Sequence, residues 1–221
     1  MAIQKTEAIL LRKRDLRETS LILTFFTKDF GKIHGVLKGA RGSRARSGSN
    51  PLYFGLEQIV FYEKEKSDFF IISQCEPQLI FLDILKDWGR ASSAYYMLEL
   101  TDVFTESRDS SPEIFENLLN GLKALNYGKE AGSIACLFEV KFLTALGLWP
   151  GSETFELTRG AASTLAHFEK EEWQASSKIK LTREALDEIK KITGKIIQDN
   201  IERPLKTTKI FSHCSRLSLE Q

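Results

Sequence analysis

The side chains in this sequence with the clearest chemical purpose are cations. From Phe30 through Leu56 there is no acidic residue, yet the window holds Lys32, Lys38, Arg41, Arg44 and Arg46. Gly39, Gly42 and Gly48, with Ser43, Ser47 and Ser49, stand between them. Guanidinium and ammonium groups neutralise phosphates and release condensed counterions, while backbone amides and serine hydroxyls add neutral donors. A stretch rich in glycine and serine can follow a polyanion whose path varies. Lys32, His34, Lys38, Arg41, Arg44 and Arg46 are therefore candidate contacts to a nucleic-acid backbone, His34 because it shares a strand side with Lys32 and Lys38. Aromatics flank the window: Phe25, Phe26 and Phe30 before it, Tyr53 and Phe54 after it, Phe69 and Phe70 further on. Those facing outward could stack on bases. Neither adjacent pair can point wholly inward on a regular strand.

Other chemistries find no footing. The glycine-rich stretch lacks the G-x-x-x-x-G-K-[ST] of a phosphate loop, and there is no G-x-S-x-G or H-E-x-x-H. The three histidines, His34, His167 and His213, form no ligand set. Cys75, Cys136 and Cys214 lie far apart with no C-x-x-C, which argues against a disulfide scaffold and against a zinc finger. Asp83 with Asp87, and Glu184 with Glu188, sit one helical turn apart and read as solvated faces. We expect no catalytic residues, no metal and no cofactor, hence a protein that is not an enzyme.

The net charge of +1 hides a segregation. Residues 1–50 carry 11 Lys/Arg against 4 Asp/Glu, residues 51–177 carry 10 against 20, and residues 178–221 carry 10 against 6. Basic ends around an acidic middle predict separate surfaces for separate partners. No apolar run is long enough to span a bilayer, and the N-terminus is not built like a secretory signal. A cytoplasmic protein with no membrane contact is expected.

The elements that must position the cations follow from the hydrophobic period. TEAILLRKR, TSLILTFFT, KIHGVLK, LEQIVFYEKE and DFFIISQCE are five candidate strands, rich in β-branched and aromatic residues and separated by turn formers. Five short strands in some eighty residues fit an oligonucleotide-binding (OB) barrel over 1–78. From residue 79 to 221 the period turns helical. Leu82, Leu85, Trp88, Tyr95, Leu98 and Val103 make a first stripe, and a helix starts at Ser110–Ser111 with Pro112 in its first turn. Another, EAGSIACLFEVKFLTALG, ends at Gly147. The last has Thr182 as N-cap and Ala185, Ile189, Ile192 and Ile196 on one side. The segment of about 151–179 reads as irregular. The predicted class is α+β in two domains, a five-stranded OB barrel followed by an all-helical domain.

The stretch from Thr6 to Arg46 resembles the N-terminal domain of the RecO family of bacterial recombination mediators. The resemblance lies in the Thr6–Leu11 strand, the E-x-S of Glu18–Ser20, the "LTFFT" within Leu21–Thr27, Gly31–Lys32, and the K-G-A-R of Lys38–Arg41. Near the end, "NIERPLKTTKIF" resembles the family's closing helix motif through Leu205–Lys206. The resemblance implies an OB barrel with a helical domain, and binding of single- and double-stranded DNA without sequence preference. It further implies strand annealing, and loading of RecA with RecR onto DNA coated by single-stranded-DNA-binding protein (SSB). It implies DNA repair and recombination, in the nucleoid. Lys38 and Arg41 match the family's basic residues on the barrel.

The chain departs from the family at the four-cysteine zinc site that many members carry. With Gly160–Ala161 on the family's Gly-Gly, the cysteine positions fall on Ser163 and Ala166, and "LGLWPGSETFEL" has no cysteine for the first pair. No zinc is therefore expected, and Leu157, Leu165, Phe168 and Trp173 must hold this segment by packing.

The family also contacts the acidic, Phe-ended tail of SSB through its helical domain. Lys190 and Lys191 lie on a basic surface with Lys178, Lys180, Arg183 and Lys195. That surface either extends the DNA path or receives the acidic part of the tail, with Phe138, Phe142, Ile192 and Ile196 as candidates for the apolar pocket. The alternative is an interaction scaffold whose barrel binds a protein rather than DNA.

Overall fold

A computed structural model of the chain describes residues 2–40, 50–62, 69–128 and 130–207. Arg41, Arg44, Arg46 and Cys214 therefore lie outside the described residues.

Five strands form a closed barrel: β1 (Ile3–Leu16), β2 (Ser20–Thr27), β3 (Gly31–Leu37), β4 (Gly55–Tyr62) and β5 (Phe69–Ile80). The order around the barrel is β1-β2-β3-β5-β4, antiparallel throughout except for β3 beside β5. The connection from β3 to β4 is the cation-rich stretch. Alternation decides what fills the barrel. Leu21, Leu23 and Phe25 of β2, Ile33 and Leu37 of β3, Ile59 and Phe61 of β4, and Phe70 and Ile72 of β5 point inward into one apolar cluster. Cys75 belongs to it, and burial pushes its thiol up to about 12.

The helices are α1 (Trp88–Phe104), α2 (Pro112–Tyr127), α3 (Ala131–Ala145), α4 (Arg159–Lys170), the single turn α5 (Trp173–Ser176) and α6 (Arg183–Asp199). The compact units are not two contiguous stretches. One comprises Met1–Leu82 with Thr101–Leu119, the other Asp83–Leu100 with Asn120–Gln221. Phe26, the outward member of its pair, is covered within the first unit by Phe115, ring centroids 6.4 Å apart. The segment read as irregular is largely helical: Thr158 accepts from the Ala161 amide and starts α4. Leu165 and Phe168 are buried there, with Leu157 and Trp173 packed against them.

Two stripe assignments are corrected. Leu82, Leu85, Trp88 and Tyr95 are exposed: the first two precede α1 in a 3-10 turn, and the other two lie on the exposed side of α1. On α6 the buried stripe is Ala185, Ile189, Thr193 and Ile197. Thr193 takes an inward position because its hydroxyl donates to Glu139 (2.6 Å), so Ile192 and Ile196 turn aside, half-buried. Glu139 sits on the otherwise apolar α3, fully buried, and also accepts from the Tyr96 hydroxyl (2.6 Å). Burial pushes its carboxyl up from the ordinary carboxylate range.

Candidate functional site

The barrel sorts its cations by register. Leu21 pairs with Leu37, and β1 meets β2 through Leu16 and Ser20, so the β1–β2 turn and the end of β3 share one end of the barrel. Arg14, Arg17 and Lys38 are exposed there, where the acid-free connection leaves β3. Lys13 holds the far stem of that connection, donating to Asn50 Oδ1 and Pro51 O (both 3.2 Å) and lying over the Tyr53 ring at 5.6 Å. Its backbone amide donates to the Tyr53 hydroxyl (3.0 Å), and burial lowers its pKa. Glu57 accepts from the Leu52 amide (3.2 Å) beneath the same stem. Burial pushes the Glu57 carboxyl up, toward its neutral form, although the Leu52 amide and Lys13 oppose this. The stem is thus tied down by Lys13, Tyr53 and Glu57 together. Arg14 and Arg17 carry no role in the sequence reading; the antiparallel pairing of β1 and β2 is the signal that would have found them.

Lys32 is not part of this surface. It is 8 % exposed, and its ammonium donates to the carbonyls of Asp102 (2.6 Å) and Thr105 (2.5 Å), with the Asp102 carboxylate at 3.7 Å. Asp102 lies in the last turn of α1 and Thr105 directly follows it, at a helix end where acceptors lack helical partners and the dipole favours a cation. Asp102 is shared with Arg12 (3.0 Å).

His34 is corrected too. Thr24 Oγ1 lies 3.1 Å from Nδ1 and Ser107 Oγ 3.2 Å from Nε2, so both ring nitrogens are engaged within the protein rather than offered to phosphate.

The helical unit holds a groove of about 580 Å³. Lys191, Ile192, Lys195 and Ile196 of α6 form one side, Leu148, Pro150 and Phe155 the other. Lys191, Ile192 and Ile196 are thus brought together. Lys190 is not, since it faces α3 near Gly132. Phe138 and Phe142 are fully buried, stacked with centroids 5.2 Å apart, and cannot line a surface pocket.

Two carboxylates fix the groove's outer wall. Glu169 accepts from Trp149 Nε1 and the Ser152 amide (both 2.6 Å) and from Ser152 Oγ (2.9 Å). Glu188, expected on a solvated face, accepts from the Thr158 amide (3.0 Å) and hydroxyl (2.6 Å). Such carboxylates tie loop to helix through charge-assisted hydrogen bonds. Among the described residues no cluster of three His, Cys, Asp or Glu could hold an ion. Glu99 similarly accepts from the amides of Lys206 and Thr207 (both 2.8 Å), seating the buried Leu205.

A closed five-stranded barrel with one parallel strand pair, a cation-rich β3–β4 connection and a helical unit define an OB-barrel protein of two units. The family model for the N-terminal part of recombination protein O matches residues 1–81, and that for its C-terminal part matches 85–152 and 150–209. The chain belongs to the RecO family. It is 33% identical over 150 residues to the DNA repair protein RecO of Bacillus subtilis, covering 67% of this chain and 57% of that one. With its counterpart from Caldicellulosiruptor bescii it shares 32% identity over 151 residues, 67% and 60% of the two chains. With that of Listeria monocytogenes it shares 29% over 167 residues, 76% and 64%. The chain thus matches about three fifths of the length of these relatives. Among the described residues no helix is long and apolar enough to cross a membrane.

Proposed function

We infer that this protein works in DNA repair and recombination as a mediator without catalytic chemistry. It binds single- and double-stranded DNA without sequence preference, anneals complementary strands, and with RecR helps to load RecA onto SSB-coated strands. The observation that carries this reading is the exposure of Arg14, Arg17 and Lys38 at the barrel end where the acid-free connection leaves. Charge gives affinity without reading bases, and it screens two backbones from one another while their bases remain free to pair. With about five phosphate contacts, log K falls against log salt with a slope of roughly −3.5 on single strands. Lys38→Glu with Arg41→Glu should abolish the shift of a single-stranded oligonucleotide at physiological ionic strength; an unchanged shift would hand the barrel to a protein partner instead.

The groove on α6 supports contact with the SSB tail. Ile192, Ile196, Leu148 and Phe155 offer an apolar seat for a terminal Phe, and Lys191 and Lys195, one turn apart, offer two cations for its carboxylates. Glu188, on the same groove, is spent on Thr158, while Glu156 and Asp199 also line the groove. Lys191→Glu/Lys195→Glu is expected to weaken a fluorescent tail peptide about tenfold or more, the scale of a lost charged hydrogen bond. Lys190→Glu should leave it nearly unchanged. Equal losses in both would place the tail elsewhere.

A further inference from the structure

The barrel's outward face leaves one aromatic beside the basic window well exposed. Phe25 and Phe70 fill the interior, Phe26 lies under Phe115, Phe54 is buried, and Phe30 and Tyr53 pack against the barrel core. Phe69 alone among the aromatics flanking the basic window is more than a third exposed, at 43 %. It begins β5 directly opposite His34 of β3, with ring centroids 6.1 Å apart at 51°. The hydroxyls of Thr24 and Ser107 hold the His34 ring from both nitrogens, so His34 is a fixed wall for Phe69.

Around it the register lays out a track. The next outward row runs Arg14, Ile22, Val36, Ile71 and Tyr62, and its last four members are half-buried. Neither this row nor the row Arg12, Thr24, His34, Phe69 contains an acid. Cations flank the track. The exposed Arg14 heads the row, whereas the Arg108 guanidinium lies 5.0 Å from the ring of the inward-facing Phe70. Lys38 stands four residues along β3 from His34, about 13 Å at strand rise. A flat exposed ring on a shallow apolar row, with the exposed Arg14 and Lys38 beside it, suits a polyanion whose bases are unstacked and free to lie on it. A duplex keeps its bases stacked and offers this surface only phosphates.

We propose that Phe69, braced by His34, is a base-stacking position for single-stranded nucleic acid, and that it gives the barrel a preference for single strands over duplex. This rests on the DNA-binding reading above and adds to it the residue that tells the two forms apart.

The test compares the full chain with Phe69→Ala, Phe69→Tyr and Lys38→Glu on three probes: an oligothymidine, the same strand with abasic sites, and a duplex of equal length. Phe69→Ala should weaken oligothymidine binding about fivefold or more, the scale of one lost base–aromatic stack. It should leave duplex and abasic binding within about twofold, and the salt slope unchanged, because stacking releases no counterions. Phe69→Tyr should restore the affinity, and its melting curve shows whether the position tolerates change. Lys38→Glu should weaken all three probes. If Phe69→Ala lowers all three equally, or none while Lys38→Glu lowers them, the stacking position is wrong and the charge-based reading survives. If Lys38→Glu lowers none and Phe69→Ala lowers none, both fall.

Discussion

Lys32→Glu is expected to cost the barrel unit about 3–5 kcal/mol, the scale of a broken buried ion pair and a large part of a domain's stability. The ammonium donates to the carbonyls of both Asp102 and Thr105, and it lies 3.7 Å from the Asp102 carboxylate. A glutamate there leaves two buried carbonyls facing an acceptor and sets one carboxylate against another. Lys32→Met removes the charge and keeps the volume; it should cost less, about 1–3 kcal/mol for the orphaned acceptors. Urea unfolding followed by circular dichroism reads both. The consequence reaches DNA binding. A Lys32→Glu protein that no longer shifts DNA has lost its fold, not a phosphate contact, whereas Lys38→Glu keeps its melting curve and loses the shift. A Lys32→Glu protein as stable as the parent would show that the cation is not held as described.

Gly31→Ala is the second large effect. Gly31 has φ of +62°, a conformation that costs a residue with a Cβ about 1–2 kcal/mol. A Cβ at this position would also overlap the backbone carbonyl of Asp109, in the segment that packs on the start of β3. Backbone cannot rotate away as a side chain can, so Thr101–Leu119 must shift off the strand. We expect a total of about 3 kcal/mol or more, in the range that marks a specific steric mechanism. Gly39→Ala is the control. Its φ is +66°, but nothing lies within 4 Å of the added carbon, so only the conformational cost of about 1 kcal/mol applies. Equal melting shifts for the two alanines would mean that the close approach at Asp109 is not real.

Both effects centre on contacts between β3 and residues some seventy positions later. Those contacts explain why Lys32 looks from its strand pattern like a surface cation. It does occupy an outward position, as alternation requires. Outward means solvent only if nothing covers the strand, and the last turn of α1 covers this one. His34 suffers the same fate through Ser107, and Phe26 through Phe115. Phe69, at an outward position on the same face, stays exposed. Local pattern cannot distinguish these four side chains, because their difference lies in what arrives from elsewhere in the chain.

The helical unit repeats the lesson. Thr182 and Thr158 each accept from an amide three residues on, a local event, yet only the cap of α6 was anticipated. Thr158 heads a helix whose apolar positions, Ala161, Leu165 and Phe168, are spaced by three and four but are too few to stand out. Glu139, Glu169 and Glu188 read as ordinary acids, and their roles depend on donors that fold against them from other elements.

By itself, the sequence determined the five strands, the concentration of cations in the β3–β4 connection, and the family. These are properties of period and composition, fixed by neighbours a few residues apart. Only the tertiary structure decided which outward residues meet solvent, which cations are spent on helix carbonyls, and which walls close the groove. Burial and hydrogen-bond partnership are set by segments distant in sequence, and no period within one strand or helix records them.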